Sequence, residues 1–302
     1  MFRSFVAATM MLAAAPLAAQ QADKPEPVTT PGSGRWPAMF ESLPALPDHV
    51  VYRPQSLERL GDRKLGIYVF GNGACSADGT SSRNHLLDIA SHGYLAVAPG
   101  TIPAKEKPSA QGARPAGQLT ASTPASALKT AINWAVAENE RAGSPLRGLI
   151  DTSRIAISGF SCGGLQALMN AGDPRVKTIV VMNSGVFNDG ARAINGIDVS
   201  KSAVEKLRMP TLYVLGGPSD IAYENGMDDY RRLTDIPAAV VNIPVGHGGT
   251  YMQPNGGIAA EVVSAWLEWQ LWNDSNAAGK FKGTDCGLCT DKRLTIERKN
   301  ID

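Results

Sequence analysis

The chain has 302 residues, of which 43% are apolar, and a formal net charge of +1. A chain of this size and apolar content can bury an ample core, and it suits one α/β domain. The near-neutral charge gives no electrostatic case for nucleic acid or an anionic membrane surface as a partner.

The first residues have the features of a secretory signal peptide. Arg3 supplies a positive charge, residues 5–17 are apolar and rich in alanine, and small alanines precede two polar glutamines. This pattern predicts a signal peptide over residues 1–19 and a periplasmic or secreted mature protein. The apolar run is too short to span a membrane comfortably, which disfavours an anchor. The stretch that follows is rich in proline, glycine, serine and threonine, and a disordered leader is predicted over residues 20–44.

Short β-rich runs alternate with helix-compatible runs over residues 45–275, which are predicted to form one domain. The predicted strands cover residues 49–54, 65–70, 94–98, 155–158, 176–182, 210–215 and 238–243. The first of them ends in a proline, which predicts an edge strand. The predicted helices cover residues 86–91, 124–142, 165–171, 227–233 and 262–272. Strands that are uniformly apolar and alternate with helices indicate an α/β fold with a mostly parallel central sheet and helices on both faces. A polar tail is predicted for residues 276–302.

The strand predicted at 155–158 runs into Gly-Phe-Ser-Cys-Gly at residues 159–163, which fits the nucleophile elbow G-x-S-x-G. The turn strains the backbone of Ser161, so side chains two positions before and two positions after it would clash, and glycine removes them. Gly164 allows the following helix to pack closely against the strand. The turn points the Ser161 hydroxyl at the start of a helix, where amide N–H groups favour a developing anion.

A serine hydroxyl is a poor nucleophile and needs a base, and histidine can take its proton near neutral pH. His247 lies in a glycine-rich loop directly after the last predicted strand, and it is the predicted base. The other three histidines are interpreted as surface or structural side chains: His49, His85 and His92.

A carboxylate is needed to fix the tautomer of the base and to stabilise its cationic form. Asp220 follows the second strand after the elbow and is the predicted acid. An ordinary capping role in the turn is the competing interpretation of Asp220. The alternative acids lie on or near the helix that follows: Glu224, Asp228 and Asp229.

With the order serine, acid, histidine, the chain resembles the α/β-hydrolase family over roughly residues 45–275, most closely the compact dienelactone-hydrolase-like and secreted esterase branch. The resemblance implies the α/β-hydrolase fold without a large cap domain. It also implies hydrolysis of small-molecule or polymeric carboxylic esters through an acyl-serine intermediate on Ser161, without a cofactor or metal. The short polar connection 183–208, where many relatives insert a lid, predicts an open site. The alternatives are a serine peptidase on the same fold and a non-catalytic exported binding protein.

The resemblance also assigns two backbone donors to an oxyanion hole, the first being the N–H of Cys162. The second comes from the loop after an early strand. Asn72 stands there where many relatives have histidine, which points to the N–H of Ala74, with Cys75 as the alternative. Because these two loops are neighbours in the family, a disulfide between Cys75 and Cys162 is expected to join them.

The remaining cysteines, Cys286 and Cys289, form a C-x-x-C pair in the predicted tail. A local disulfide, a redox pair and half of a metal site are the three interpretations. A structural zinc site needs four protein ligands, and the sequence has no second pair. A thioredoxin-type motif opens a helix near the front of its domain, whereas this pair lies in a polar tail. A local structural disulfide is therefore favoured, in keeping with export.

Overall fold

The computed structural model describes residues 28–104, 119–188 and 194–302. The predicted signal peptide at residues 1–19 lies outside these ranges. The strands are β1 (Ala38–Leu43), β2 (Leu46–Pro54), β3 (Leu65–Gly71), β4 (Tyr94–Pro99), β5 (Leu119–Thr120), β6 (Ile150–Phe160), β7 (Val176–Met182), β8 (Ile194–Asn195), β9 (Thr211–Leu215), β10 (Ala238–Asn242) and β11 (Thr295–Lys299). The helices are α1 (Arg83–Ser91), α2 (Ser126–Glu140), α3 (Cys162–Asn170), α4 (Lys201–Glu205), α5 (Tyr223–Arg232), α6 (Gly257–Trp272) and α7 (Ser275–Ala278).

Nine strands of the described chain form one sheet in the order β1-β2-β4-β3-β6-β7-β9-β10-β11. Within this order, the strands β4, β3, β6, β7, β9 and β10 are parallel to one another. The strands at the two ends, β1, β2 and β11, pair in antiparallel fashion. The protein is thus an α/β protein with a large, mostly parallel central sheet. All seven predicted strands are present. The strand at 49–54 was expected at an edge, but β2 lies inside the sheet because β1 covers it.

The central strands are apolar on both faces because helices cover both sides of the sheet. Along β3, Ile67 and Val69 face a core that includes Leu128 of α2, with α3 and α5 on the same side. The other face of β3, which carries Tyr68, lies against the opposite core. That core includes Trp266 of α6 and the apolar side of α1. Each large side chain buried in this way contributes about 1.5–3 kcal/mol. The prediction of helices on both faces is confirmed.

Both ends of the predicted domain need correction. The leader predicted at residues 20–44 is wrong from residue 28 onwards, since β1 pairs with β2 and the N–H groups of Thr30 and Ser33 donate to side chains of α1. The tail predicted at 276–302 contains α7 and also β11, which pairs with β10. Both segments look polar in sequence because they lie at the edge of the fold, where one side faces water.

Between β7 and β9, the described residues form only the two-residue strand β8 and the five-residue helix α4. β8 pairs with β5 outside the main sheet. In the part of the chain that the structure describes, no helix combines the length and the apolar character that crossing a membrane requires.

Candidate active site

Three predicted residues lie after strands that end at the same edge of the sheet. Ser161 follows β6 directly, Asp220 comes five residues after β9, and His247 comes five residues after β10. Because these strands are parallel, the loops at their carboxyl ends converge, and this is where ligands collect in such sheets.

The elbow around Ser161 has the strained geometry that the sequence predicts. Ser161 has φ 54° and ψ −121° between β6 and α3. A Cβ atom added to Gly159 would lie 2.1 Å from the carbonyl oxygen of Gly163, and one added to Gly163 would lie 2.0 Å from the carbonyl oxygen of Gly71. Both atoms met are backbone atoms, so a larger residue would force the turn open. The glycines are therefore required at these two positions.

The side chains of Ser161, His247 and Asp220 form one hydrogen-bonded chain. The hydroxyl oxygen of Ser161 lies 3.0 Å from Nε2 of His247, and Nδ1 of His247 lies 2.6 Å from Oδ1 of Asp220. Both distances are those expected between a nucleophile, its base and the group that orients the base. The structure thus brings together the three residues predicted for catalysis.

The alternative acids do not reach His247. Glu224 is exposed on α5. Asp228 and Asp229 instead pair with Lys201, at 2.9 and 2.7 Å. Asp229 also accepts hydrogen bonds from the peptide N–H of Val186 and the hydroxyl of Tyr213. It therefore holds the backbone at Val186 in place and does not contact His247.

Asp220 is buried and receives four hydrogen bonds. Oδ1 accepts from His247 and from the N–H of Ala222 at 2.9 Å, while Oδ2 accepts from the N–H of Gly216 at 2.9 Å and Nδ2 of Asn183 at 2.8 Å. Burial raises the pKa of this carboxyl, but the four donors outweigh burial and leave the pKa below its usual value. Asp220 is therefore held as a carboxylate in a fixed orientation.

Asn183 is a site residue that the sequence analysis missed. It directly follows β7 and has a positive φ of 41°. Its amide nitrogen also donates to the carbonyl oxygen of Gly246, next to His247, at 3.2 Å, and its oxygen accepts from the hydroxyl of Tyr251. Asn183 thus ties the loop of Asp220 to the loop of His247. Its position at the carboxyl end of a central strand was the only available signal.

Two backbone N–H groups beside Ser161 are free to bind an anion. Among the described residues, the N–H groups of Ala74 and Cys162 have no acceptor, and both residues line the cavity at Ser161. The N–H of Cys75 instead donates to the carbonyl oxygen of Asn72 at 3.0 Å. The geometry therefore favours Ala74 over Cys75 as the second donor.

Asn72 supports this turn by its side chain. Its amide nitrogen donates to the carbonyl oxygens of Ser76, at 3.0 Å, and Pro99, at 2.6 Å. These bonds fix both ends of the turn that carries Ala74. The side chain of Asn72 therefore helps to hold the Ala74 N–H in place.

A cavity of about 630 Å³ opens beside Ser161. The larger apolar side chains that line it are those of Leu119, Phe160, Leu165, Phe187, Ile194 and Ile221. Its hydroxyl lining, besides Ser161, consists of Ser76, Ser81, Ser82 and Ser184. Within the described ranges, no Asp, Glu, Lys or Arg side chain lines this cavity. The described wall of the cavity is therefore largely apolar, and serine hydroxyls are among its polar groups.

All four cysteines lie in pairs at disulfide distance. Cys75 and Cys162 form one pair, with a Cα–Cα distance of 5.2 Å, and Cys286 and Cys289 form the other, at 4.9 Å. The pairing expected from the family resemblance and the local pairing of the C-x-x-C motif are both present. Such pairs fit a protein exported to an oxidising compartment.

The remaining histidines lie outside the site. His49 and His85 are buried. Nε2 of His85 lies 3.1 Å from the hydroxyl oxygen of Tyr68, and its Nδ1 has no hydrogen-bond partner in the described chain. Burial lowers the pKa of His85 to about 3. This histidine is a neutral core residue, as the structural interpretation requires.

No protein-family model and no curated protein matches the chain. What the site does is therefore inferred from its own side chains and backbone donors.

Proposed function

We propose that this protein is an exported serine hydrolase of the α/β-hydrolase fold that cleaves carboxylic esters. The observation that carries the proposal is the hydrogen-bonded chain from Ser161 through His247 to Asp220, with distances of 3.0 and 2.6 Å. A strained serine at a helix start, a base on its hydroxyl and a buried carboxylate on the base form the arrangement that activates a serine for attack.

In the proposed mechanism, His247 takes the proton of Ser161 as the serine oxygen attacks the ester carbonyl. The N–H groups of Cys162 and Ala74 bind the oxyanion of the tetrahedral intermediate. His247 then gives the proton to the departing alcohol, which leaves an acyl-serine. Water, deprotonated by the same histidine, releases the acid and restores the serine. Asp220 holds the imidazole in the required tautomer and stabilises its cationic form.

The cavity supports an uncharged substrate group. A charged group placed against the apolar side chains and serine hydroxyls that line it would lose hydration without gaining an opposite charge in the described wall. A volume of about 630 Å³ is large enough for an aryl or short acyl group. We therefore expect neutral aryl and short-chain esters to be better substrates than esters with an ionised group near the scissile bond.

The test is a panel of p-nitrophenyl esters and matched p-nitroanilides, assayed with wild-type protein and Ser161→Ala. The matched control is Ser200→Ala, which changes an exposed serine at the start of α4. We expect ester turnover by the wild type and the control and none by Ser161→Ala. Turnover of anilides in preference to esters would identify a peptidase, and no turnover by folded wild type would contradict catalysis.

Export is the second part of the proposal. It is supported by the cysteine pairing and by the signal-like residues 1–19. N-terminal sequencing of the mature protein tests it: cleavage near Ala19 is expected, and a chain that retains its first residues would contradict it.

A further inference from the structure

The disulfide between Cys75 and Cys162 joins the two segments that carry the free N–H donors. Cys75 ends the short helical turn after β3 and directly follows Ala74, while Cys162 is the first residue of α3 and directly follows Ser161. Both cysteines are fully buried, at 0% and 1% exposure. Burial shields the bond from reagents in the folded protein, which favours a structural lock over a reactive thiol pair.

The turn that carries Ala74 has an unfavourable backbone. Ala74 has φ 56° and Cys75 has φ 48°, and neither residue is glycine. Left-handed conformations are unfavourable for an L-residue other than glycine, so the surrounding structure must hold the turn in place. Part of that restraint comes from the carbonyl oxygen of Cys75, which accepts hydrogen bonds from the N–H groups of Ser122 and Thr123.

Hydrogen bonds do not connect this turn directly to the start of α3. Among the described residues, the hydrogen bonds that residues 72–76 make beyond the pairing of β3 with β6 lead to one another, to Asp78, to Pro99 and to residues 122–123. None of them leads to residues 161–165. An indirect route runs through Thr123, whose carbonyl oxygen accepts from Gln166 of α3 at 2.7 Å. The disulfide is thus the covalent link between the two halves of the anion site, and it acts beside the packing of Gly163 against Gly71.

We propose that the Cys75–Cys162 disulfide is a positioning device that fixes the separation of the Ala74 and Cys162 N–H groups. The inference rests on the proposed serine-hydrolase function. An oxyanion needs its donors at about 2.7–3.1 Å, and these donors matter most once the carbonyl oxygen has become negative. Loosening one donor relative to the other therefore lowers kcat and leaves KM nearly unchanged.

The expected loss is smaller than the loss of a whole donor. Removing one donor from an oxyanion hole costs about 10²–10³-fold in kcat. Without the disulfide, both N–H groups remain and the route through Thr123 and Gln166 still restrains the turn. We expect kcat to fall by about 10–100-fold.

The test compares two double variants, each of which lacks one of the two disulfides. Cys75→Ala with Cys162→Ala removes the disulfide at the site, and Cys286→Ala with Cys289→Ala removes the other disulfide, which does not line the cavity. kcat and KM are measured on a p-nitrophenyl ester, well below the unfolding midpoint of each variant. The affinity of a trifluoromethyl ketone, whose adduct oxygen occupies the anion site, is measured alongside.

The site variant is expected to lose kcat and ketone affinity by the same factor, with KM within about twofold of wild type. The control pair is expected to keep kcat within about twofold. Unchanged kcat and ketone affinity in the folded site variant would overturn the proposal. If the alanine pair does not fold, Cys75→Ala with Cys162→Val refills the vacated volume. Valine is placed in α3 because a β-branched residue is disfavoured at the positive φ of Cys75.

The failure of this inference differs from the failure of the proposed function. If wild type hydrolyses esters and the site variant keeps its kcat, only the role of the disulfide is refuted. If wild type hydrolyses no ester and binds no trifluoromethyl ketone, the hydrolase function itself is refuted.

Discussion

Replacing Asp220 by asparagine tests the role of the buried carboxylate, because it keeps the shape of the side chain and changes only its hydrogen bonding. Both oxygens of Asp220 accept two N–H donors each. An asparagine must place its NH₂ group at one of these two positions. In one orientation the NH₂ group faces His247 and the N–H of Ala222, and in the other it faces Asn183 and the N–H of Gly216.

Either orientation removes two hydrogen bonds to a charged acceptor. Each such bond is worth about 1.5–3 kcal/mol, so the total loss is roughly 3–6 kcal/mol. To the extent that the loss falls on the transition state, in which His247 is cationic, it corresponds to a decrease of about 10²–10⁴-fold in kcat. The proposed role of Asp220 therefore predicts that Asp220→Asn lowers kcat strongly and changes KM little.

The assay is steady-state hydrolysis of a p-nitrophenyl ester, with circular dichroism to confirm that each variant is folded. The matched control is Asp228→Asn, an aspartate of α5 whose ion pairs lie at the surface, where such pairs are worth about 0–1 kcal/mol. The control should keep kcat within about twofold. A folded Asp220→Asn variant with less than a tenfold loss would refute the assignment of Asp220, and a large loss in the control would favour the alternative acid.

Two further predictions concern stability. Gly163→Ala places a Cβ atom 2.0 Å from the carbonyl oxygen of Gly71, so we expect the free energy of unfolding in denaturant to fall by several kcal/mol. In the control Gly172→Ala, the added Cβ meets no atom within 4 Å, and stability should change by less than about 1 kcal/mol. Equal losses in the two variants would contradict the steric account. His85→Phe should make stability less sensitive to acid. The pKa of His85 is about 3 in the folded protein and about 6.5 in the unfolded chain, so only the unfolded chain binds the proton as the pH falls from 6.5. Protonation therefore lowers the free energy of unfolding of the wild type by about 1.4 kcal/mol per pH unit down to pH 3. Parallel stability curves for the variant and wild type between pH 6.5 and 4.5 would contradict this.

Much of the site could be predicted from the sequence because its requirements are local. The G-x-S-x-G spacing around Ser161 reflects the steric limits of one turn, and the structure shows the close backbone contacts that impose them. The proximity of Asp220 and His247 to Ser161 follows from parallel strands whose loops meet at one edge. The local β-rich runs likewise predict seven strands, and all seven are present in the structure.

The features that were missed depend on contacts between distant parts of the chain. Nothing in the sequence around Asn183 indicates that its side chain joins Asp220 to the loop of His247. The Ser33 region looked disordered because its restraint comes from α1, about 55 residues away. β11 contains three charged residues in five and was missed because an edge strand needs few apolar side chains.

The most direct test of the proposed function is labelling of the mature protein with a fluorophosphonate probe, with intact-mass and peptide analysis, beside Ser161→Ala. A fluorophosphonate forms a covalent bond only with an activated nucleophile. We expect one adduct per wild-type chain, located on Ser161 and absent from Ser161→Ala. Labelling at another residue, or no labelling of folded wild type, would contradict the claim that the chain from Ser161 through His247 to Asp220 activates a nucleophile.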